Sequence, residues 1–259
     1  MPHRMKHNKV NILGTPVSSL TMDELFSDWE AVIQEGQKAQ VCITPVNSIL
    51  AARATARVQE IYQHADYVLC DGVPVKWASN FLGDPIKERI TGLDVLPRIF
   101  PFAASKNFSI FLLGASPGVA ETLKTVMEAK HPGVKIVGTF VPPFRAVFSD
   151  EENEEMIKAI NAVKPDILLV SLTAPKQDIW IAENLEKLDT RLAIGIGGAF
   201  EVAAGMIQRA PLWMQKSGLE WFYRFLQEPK RMFRRYFVEA PVFIPLIIQQ
   251  KISTRFGRP

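Results

Sequence analysis

The chain has 259 residues, 47% hydrophobic and 22% charged, with a formal net charge of +3. That composition supplies a large apolar core and excludes a disordered chain. No run approaches the ~20 apolar residues of a spanning helix. The longest, APVFIPLII at 240–248, is broken by proline, and the basic start MPHRMKHNKV lacks a secretory apolar stretch, so a cytosolic location is expected.

In chain order, VNILGTPV at 10–17 reads as two short strands around Gly14, and Thr21 with Glu24 makes a capping-box start for a helix over 21–34. A buried strand over 41–45 precedes one helix over 48–64. Tyr67 to Cys70 then form a short strand that ends abruptly in Asp71-Gly72, with Pro74 stiffening the exit. Residues 89–100 read as a loop feeding a helix. A strand over 108–113 ends in GASPG before a helix over 119–130, and a strand over 134–137 leads through a proline loop to a helix over 151–163. The strongest strand spans 166–172; the loop TAPKQD and a helix to 188 follow it. The last strand, 192–196, opens into GGAF. Beyond 210–211 the pattern is all helical, with breaks expected at Pro229 and Pro241.

Short apolar strands alternating with helices predict an α/β, Rossmann-like architecture: a mostly parallel sheet with helices on both faces, reached by right-handed crossovers. The expected organisation is a core over 1–205 and a basic helical appendage over 206–259. Ten Lys or Arg and three acids give that last segment +7, leaving −4 for the rest. Basic residues interleaved with Trp, Phe and Tyr point to an anionic partner: phosphate, nucleic acid or an anionic membrane surface.

In a parallel sheet Thr44, Asn47, Asp71, Gly114, Thr173, Gln177 and Gly197 all follow strand C-termini, where ligands gather in open α/β folds. Asp71 would place a carboxylate at that edge, although an Asp-Gly pair also suits a plain turn. GASPG could cradle phosphate with backbone N–H groups around Gly114, or be an ordinary strand-to-helix turn. GIGGAF lacks the third Gly of a dinucleotide fingerprint and follows the last strand, which argues against NAD. There is no Asp-x-Asp pair to hold a diphosphate through a divalent metal, no His cluster with zinc spacing, no nucleophile elbow and no P-loop. Arginine would then meet a leaving phosphate, and Arg224, Arg231, Arg234 and Arg235 recur at helical spacing around Pro229. Cys42 and Cys70, inside apolar runs, read as small buried hydrophobes of a reducing compartment.

The segments ITPVNS, ADYVLCDGVPV, RITGLD, FLLGASPGVA, PKQDIW, GIGGAFEVAAG, QRAPLWMQ and GLEWFYRFLQEPKRMFRRY span nearly the whole chain. Together they resemble the WecG/TagA/CpsF glycosyltransferases. The resemblance implies an inverting, metal-independent and cofactor-free transfer of a sugar from UDP to an undecaprenyl-diphosphate-linked saccharide in bacterial surface polysaccharide or teichoic acid assembly. The sugar is typically of N-acetylmannosamine type. By the same resemblance Asp71 is the general base and Thr44 and Asn47 line the donor pocket. Arg89 and Gln177 lie near the active site, where Gly197 is expected to bind substrate from its place after the last strand, and Arg224, Arg231 and Arg234 close over it to neutralise the diphosphate while the tail docks on the inner face of the cell membrane. No nucleic acid partner is implied, and self-association would also cover an apolar tail. The chain departs from the family at Thr173-Ala174, Asp178, Glu201 and the Thr44–Asn47 spacing, which leaves a glucosyl or hexuronic acid donor open. A nicotinamide-dependent oxidoreductase on the same sheet, or a non-catalytic membrane scaffold, are the readings from other classes.

Overall fold

The computed structural model describes residues 7–255, apart from the side chains of Lys216, Arg231 and Arg235. Strands β1 (Asn8–Ile12) and β2 (Thr15–Ser19) form an antiparallel hairpin outside the main sheet. Helix α1 (Met22–Gln34) starts at the expected capping box: the Glu24 N–H donates to Thr21 Oγ1 (3.2 Å) and the Thr21 N–H to Glu24 Oε2 (2.7 Å). Strand β3 (Ala39–Thr44) is buried along its whole length. It leads to α2 (Val46–Ala54) and α3 (Ala56–His64), where one helix was expected. The break is at β-branched Thr55, held extended at φ −137° and ψ 113°.

Strand β4 (Tyr67–Cys70) opens through Asp71-Gly72 into α4 (Val73–Leu82), a helix the sequence reading did not anticipate. Pro74 sits in its first turn, where a missing N–H leaves no hydrogen bond unmade, so the proline starts a helix instead of stiffening a loop. The core continues with α5 (Gly92–Lys106), β5 (Ser109–Gly114), α6 (Val119–Lys130), β6 (Lys135–Phe140), α7 (Asp150–Val163) and β7 (Ile167–Ser171). Helix α8 (Lys176–Asn184) begins earlier than expected, so Gln177 and Asp178 are helical; β8 (Leu192–Gly195) and α9 (Phe200–Ala203) follow.

The six strands β3 to β8 are parallel in the order β4-β3-β8-β7-β5-β6. Alternation along each strand sorts the core. Val41, Ile43, Leu69, Leu169 and Ile194 meet α1, α5 and α6 on one face, while Cys42, Val68 and Cys70 meet α2, α3, α4 and the hairpin on the other. Leu168, Val170 and Ala193 pack on that second face with α7 and α8. The fold is thus the expected Rossmann-like α/β sheet with helices on both faces.

After β8 every described element is helical: α10 (Leu212–Lys216), α11 (Glu220–Gln227), α12 (Pro229–Phe233), a π-helical stretch Arg234–Glu239, and α13 (Ala240–Arg255). Pro229 begins α12 as a break would require. Pro241 does not interrupt: it lies in the first turn of α13, which continues directly from the π-helical stretch. Phe243 and Ile247 of α13 are fully buried in the same cluster as Cys42 and Cys70.

Candidate active site

The carboxyl ends of β4, β3, β8 and β7 open into a cavity of about 650 Å³, roofed by residues of α11, α12 and the π-helical stretch. Asn47, Asp71, Arg89, Gln177, Gly197, Arg224 and Arg234 all line it, so seven of the site residues read from the sequence come together.

Asp71 is placed by backbone bonds on both sides. Its N–H donates to the Thr44 carbonyl (3.3 Å), and one residue earlier the Cys70 carbonyl accepts from the Ile90 N–H (3.0 Å), which brings the returning chain and Arg89 alongside. Gly72 then turns at φ +97°, leaving Asp71 at the mouth of α4. Behind it the Cys70 thiol is pushed up to about 12 by burial and the Asp71 carboxylate, and burial raises Cys42 well above its ordinary range, so both cysteines stay protonated and inert.

The floor comes from α8 and the loop after β8. Gln177 is buried, and its Oε1 accepts from the Gly197 N–H (3.0 Å) while Ser171 Oγ donates to the Gly197 carbonyl (2.7 Å). Beneath Gln177 lies fully buried Asp178, whose Oδ2 accepts from the Tyr62 hydroxyl (2.8 Å) and whose carbonyl accepts from Gln40 Nε2 (2.8 Å). Burial pushes this carboxyl up to about 7 against the hydrogen bonds that pull it down. A side chain at 195 would crowd this floor: a Cβ there would stand 2.7 Å from both Asp178 Oδ1 and Gln177 Nε2.

Two expected site residues are not brought into the cavity. Thr44 lies beneath it, fully buried, with its hydroxyl donating to the Cys42 carbonyl (3.3 Å) and its own carbonyl holding Asp71. Gly114 ends β5, on the far side of β7 from the Asp71 strand, and is absent from the described lining. A Cβ there would meet the Ser171 carbonyl at 2.4 Å, so this glycine serves strand packing. The side chain of Arg231 lies outside the described residues. In the roof, Arg224 pairs with Glu228 (2.7 Å) and Arg234 with Glu239 (3.1 Å).

Sequence reasoning assigned no role to the charge network that joins this roof to the core. Arg209 donates through Nε to Glu220 Oε1 (2.8 Å), through Nη1 to the Leu93 carbonyl (2.8 Å) and through Nη2 to Asp94 Oδ1 (2.6 Å). Arg89 stands 3.7 Å from Asp94 and 3.8 Å from Glu220. Burial raises the Asp94 carboxyl, but hydrogen bonds from Arg209 and Thr91 outweigh it and hold the group below its ordinary range; the same carboxylates raise Arg209 against its own burial. RITGLD holds Arg89 and Asp94, QRAPLW holds Arg209 and GLEW holds Glu220, and that shared placement was the available signal.

The site therefore gathers Asp71, at a strand end, with Arg89, Arg224, Arg234 and the carboxylates of Glu220 and Glu239 around a cavity large enough for a small ligand. Two relatives from Staphylococcus aureus, strains MRSA252 and MW2, are each named N-acetylglucosaminyldiphosphoundecaprenol N-acetyl-beta-D-mannosaminyltransferase. Each is 29% identical over 245 residues, 94% of this chain and 93% of the relative. The sequence profile described as the glycosyl transferase WecG/TagA/CpsF family matches residues 10–257. By that match over nearly its full length, the chain belongs to the WecG/TagA/CpsF family of glycosyl transferases.

Proposed function

We propose that the chain transfers N-acetylmannosamine from its UDP conjugate to a polyprenyl-diphosphate-linked N-acetylglucosamine, with inversion and without a metal ion, in cell-surface polymer assembly. The observation that carries this reading is that Asp71, Arg89, Arg224 and Arg234 line one cavity at the sheet edge. The names of the Staphylococcus aureus relatives support the choice of sugar and acceptor. Asp71 takes the proton from the acceptor hydroxyl as its oxygen forms the new bond to the anomeric carbon. The bond from that carbon to the UDP oxygen breaks, and its electron pair leaves on the diphosphate, where the arginines offset the charge. Asn47, Gln177 and the Gly197 loop bind and orient the donor, and Thr44 positions Asp71 from below.

The segment 206–259 acts in this reading as an appendage that closes the site and rests on the inner face of the membrane. Among the described residues no helix is long and apolar enough to cross a bilayer. The appendage does expose large apolar side chains, including Trp213 at 64% and Leu226 at 60%. UDP release with a panel of UDP-sugars, in EDTA, with a short-chain prenyl-diphosphate-linked N-acetylglucosamine acceptor tests the proposal. Acceptor-dependent release with UDP-N-acetylmannosamine is expected; release only with a glucosyl or hexuronic donor would reassign the sugar. No release, together with no UDP binding by calorimetry, would replace the transferase with a non-catalytic scaffold.

A further inference from the structure

Helix α4 leaves the cavity at its first residue and carries an apolar stripe away from it. Val73, Trp77 and Phe81 recur every four residues, on one face of the helix, and are 46%, 43% and 40% exposed. Val73 lines the cavity beside Asp71 and Gly72, and it also meets the C-terminal segment: a Cβ on Gly218 would lie 3.1 Å from Val73 Cγ2. The rings of Trp77 and Phe81 stack at 5.4 Å and 15°, making a flat apolar platform further along. Lys76, the single charged residue of this helix, is turned aside, its ammonium donating to the carbonyls of Ile86 and Lys87. The stripe is about 12 Å long at 1.5 Å per residue.

We propose that Val73, Trp77 and Phe81 form the subsite for the first isoprene units of the acceptor's polyprenyl chain as it leaves the active-site mouth. The inference rests on the transferase reading above and adds where the lipid part of the acceptor lies. The acceptor joins a sugar that must reach Asp71 to a hydrocarbon chain too long for the cavity, which must leave it. The α4 stripe is an apolar path that begins at Val73, two residues from Asp71, in the cavity lining. Its length matches a few isoprene units, so the remainder of a long chain continues into the bilayer. Aromatic faces suit unsaturated methyl-branched chains because they present large, rigid apolar area with little entropy to lose.

Chain-length kinetics in vesicle-free buffer, below the aggregation threshold of each acceptor, test this. N-acetylglucosamine diphosphate acceptors carrying one or three isoprene units are compared on the full chain and on a Trp77→Ser/Phe81→Ser variant. The native protein is expected to show an acceptor KM lower by at least about tenfold for the three-unit tail, a factor that burying only about two of its added carbons supplies. The variant should raise the three-unit KM to the one-unit value and leave the UDP-sugar KM and the one-unit kinetics unchanged. Equal KM for the two tails on the native protein overturns the subsite without any variant having to fold. A variant that loses binding to anionic phospholipid vesicles but keeps the native chain-length preference makes the stripe a bilayer contact and also overturns it. Transfer to neither acceptor removes the transferase reading and this inference with it; transfer without chain preference removes the inference alone.

Discussion

Replacing Asp178 by Asn should change how stability depends on pH. The native carboxyl is fully buried, sits next to Gln177 at the cavity floor, and is pushed from its ordinary value of 3.8 up to about 7. A raised folded-state pKa means that the folded protein holds a proton the unfolded chain has released, so its stability contribution is complete below pH 3.8 and is lost as pH rises through 7. At 1.36 kcal/mol per unit, the loss between pH 5 and pH 8 is on the order of 3 kcal/mol. Asn is neutral throughout, and its side-chain oxygen can still accept from the Tyr62 hydroxyl. Tyr62 and Cys42, the titratable groups against it, both stay protonated in this range. Urea unfolding of both proteins at pH 5, 6, 7 and 8 should therefore show the Asn variant gaining on the native protein by about 3 kcal/mol across the series, with most of the change below pH 7. A difference that stays flat from pH 5 to pH 8 would mean that Asp178 is already ionised when folded, and the account of the floor as a neutral buried cluster would fail.

Other outcomes follow from the same geometry. Asp71→Asn should lower kcat by about 10² to 10⁴ while UDP affinity, read by calorimetry, stays near native; near-native turnover would remove Asp71 as the base. Arg209→Gln removes a three-pronged, charge-assisted contact and should cost about 2 kcal/mol in urea unfolding together with a fall in kcat/KM of up to about 10²-fold, with Lys restoring little because it lacks the planar fork. Because Asp94 is held below its ordinary range, the part of that stabilisation which runs through it is present above the usual carboxylate pKa and fades as pH falls through its folded value. Gly114→Ala places a Cβ 2.4 Å from the Ser171 carbonyl at φ +97° and should destabilise by at least about 1 to 3 kcal/mol. Its donor KM should remain native; a large KM change would put the GASPG turn back in the site.

What the sequence made legible was local. Strands buried on both faces read as unbroken apolar runs, and Thr21 with Glu24 announced α1 through a hydrogen-bond pattern contained in four residues. The edge on which Asn47, Asp71, Gln177 and Gly197 meet followed from parallel strands alone, because every strand C-terminus in such a sheet shares one side. Strand order did not follow. Gly114 shares that edge with Asp71, yet β7 and β8 stand between β5 and β3, and no residue near Gly114 encodes that separation. Thr44 is kept out of the cavity for another reason: alternation turned its side chain into the core and left its carbonyl to hold Asp71. The Arg209 network joins groups from three distant segments, and each charge taken singly looks like a solvated surface residue.

The roof of the cavity is bound to the same packing that holds its floor. Phe243 and Ile247 of α13 fill the cluster containing Cys42 and Cys70, the strand residues just beneath Thr44 and Asp71. Closer to the site, Arg209 ties Glu220 of α11 to Asp94 at the start of α5, and Gly218 lies against Val73 of α4. Burial of two large side chains contributes about 3 to 6 kcal/mol, several times the worth of an exposed ion pair. The arginines over the cavity are therefore positioned first by apolar burial some distance away and only then adjusted by charge. A basic segment held only by its charges would shift with salt; one anchored through Phe243 and Ile247 keeps Arg224 in the lining of the cavity that holds Asp71.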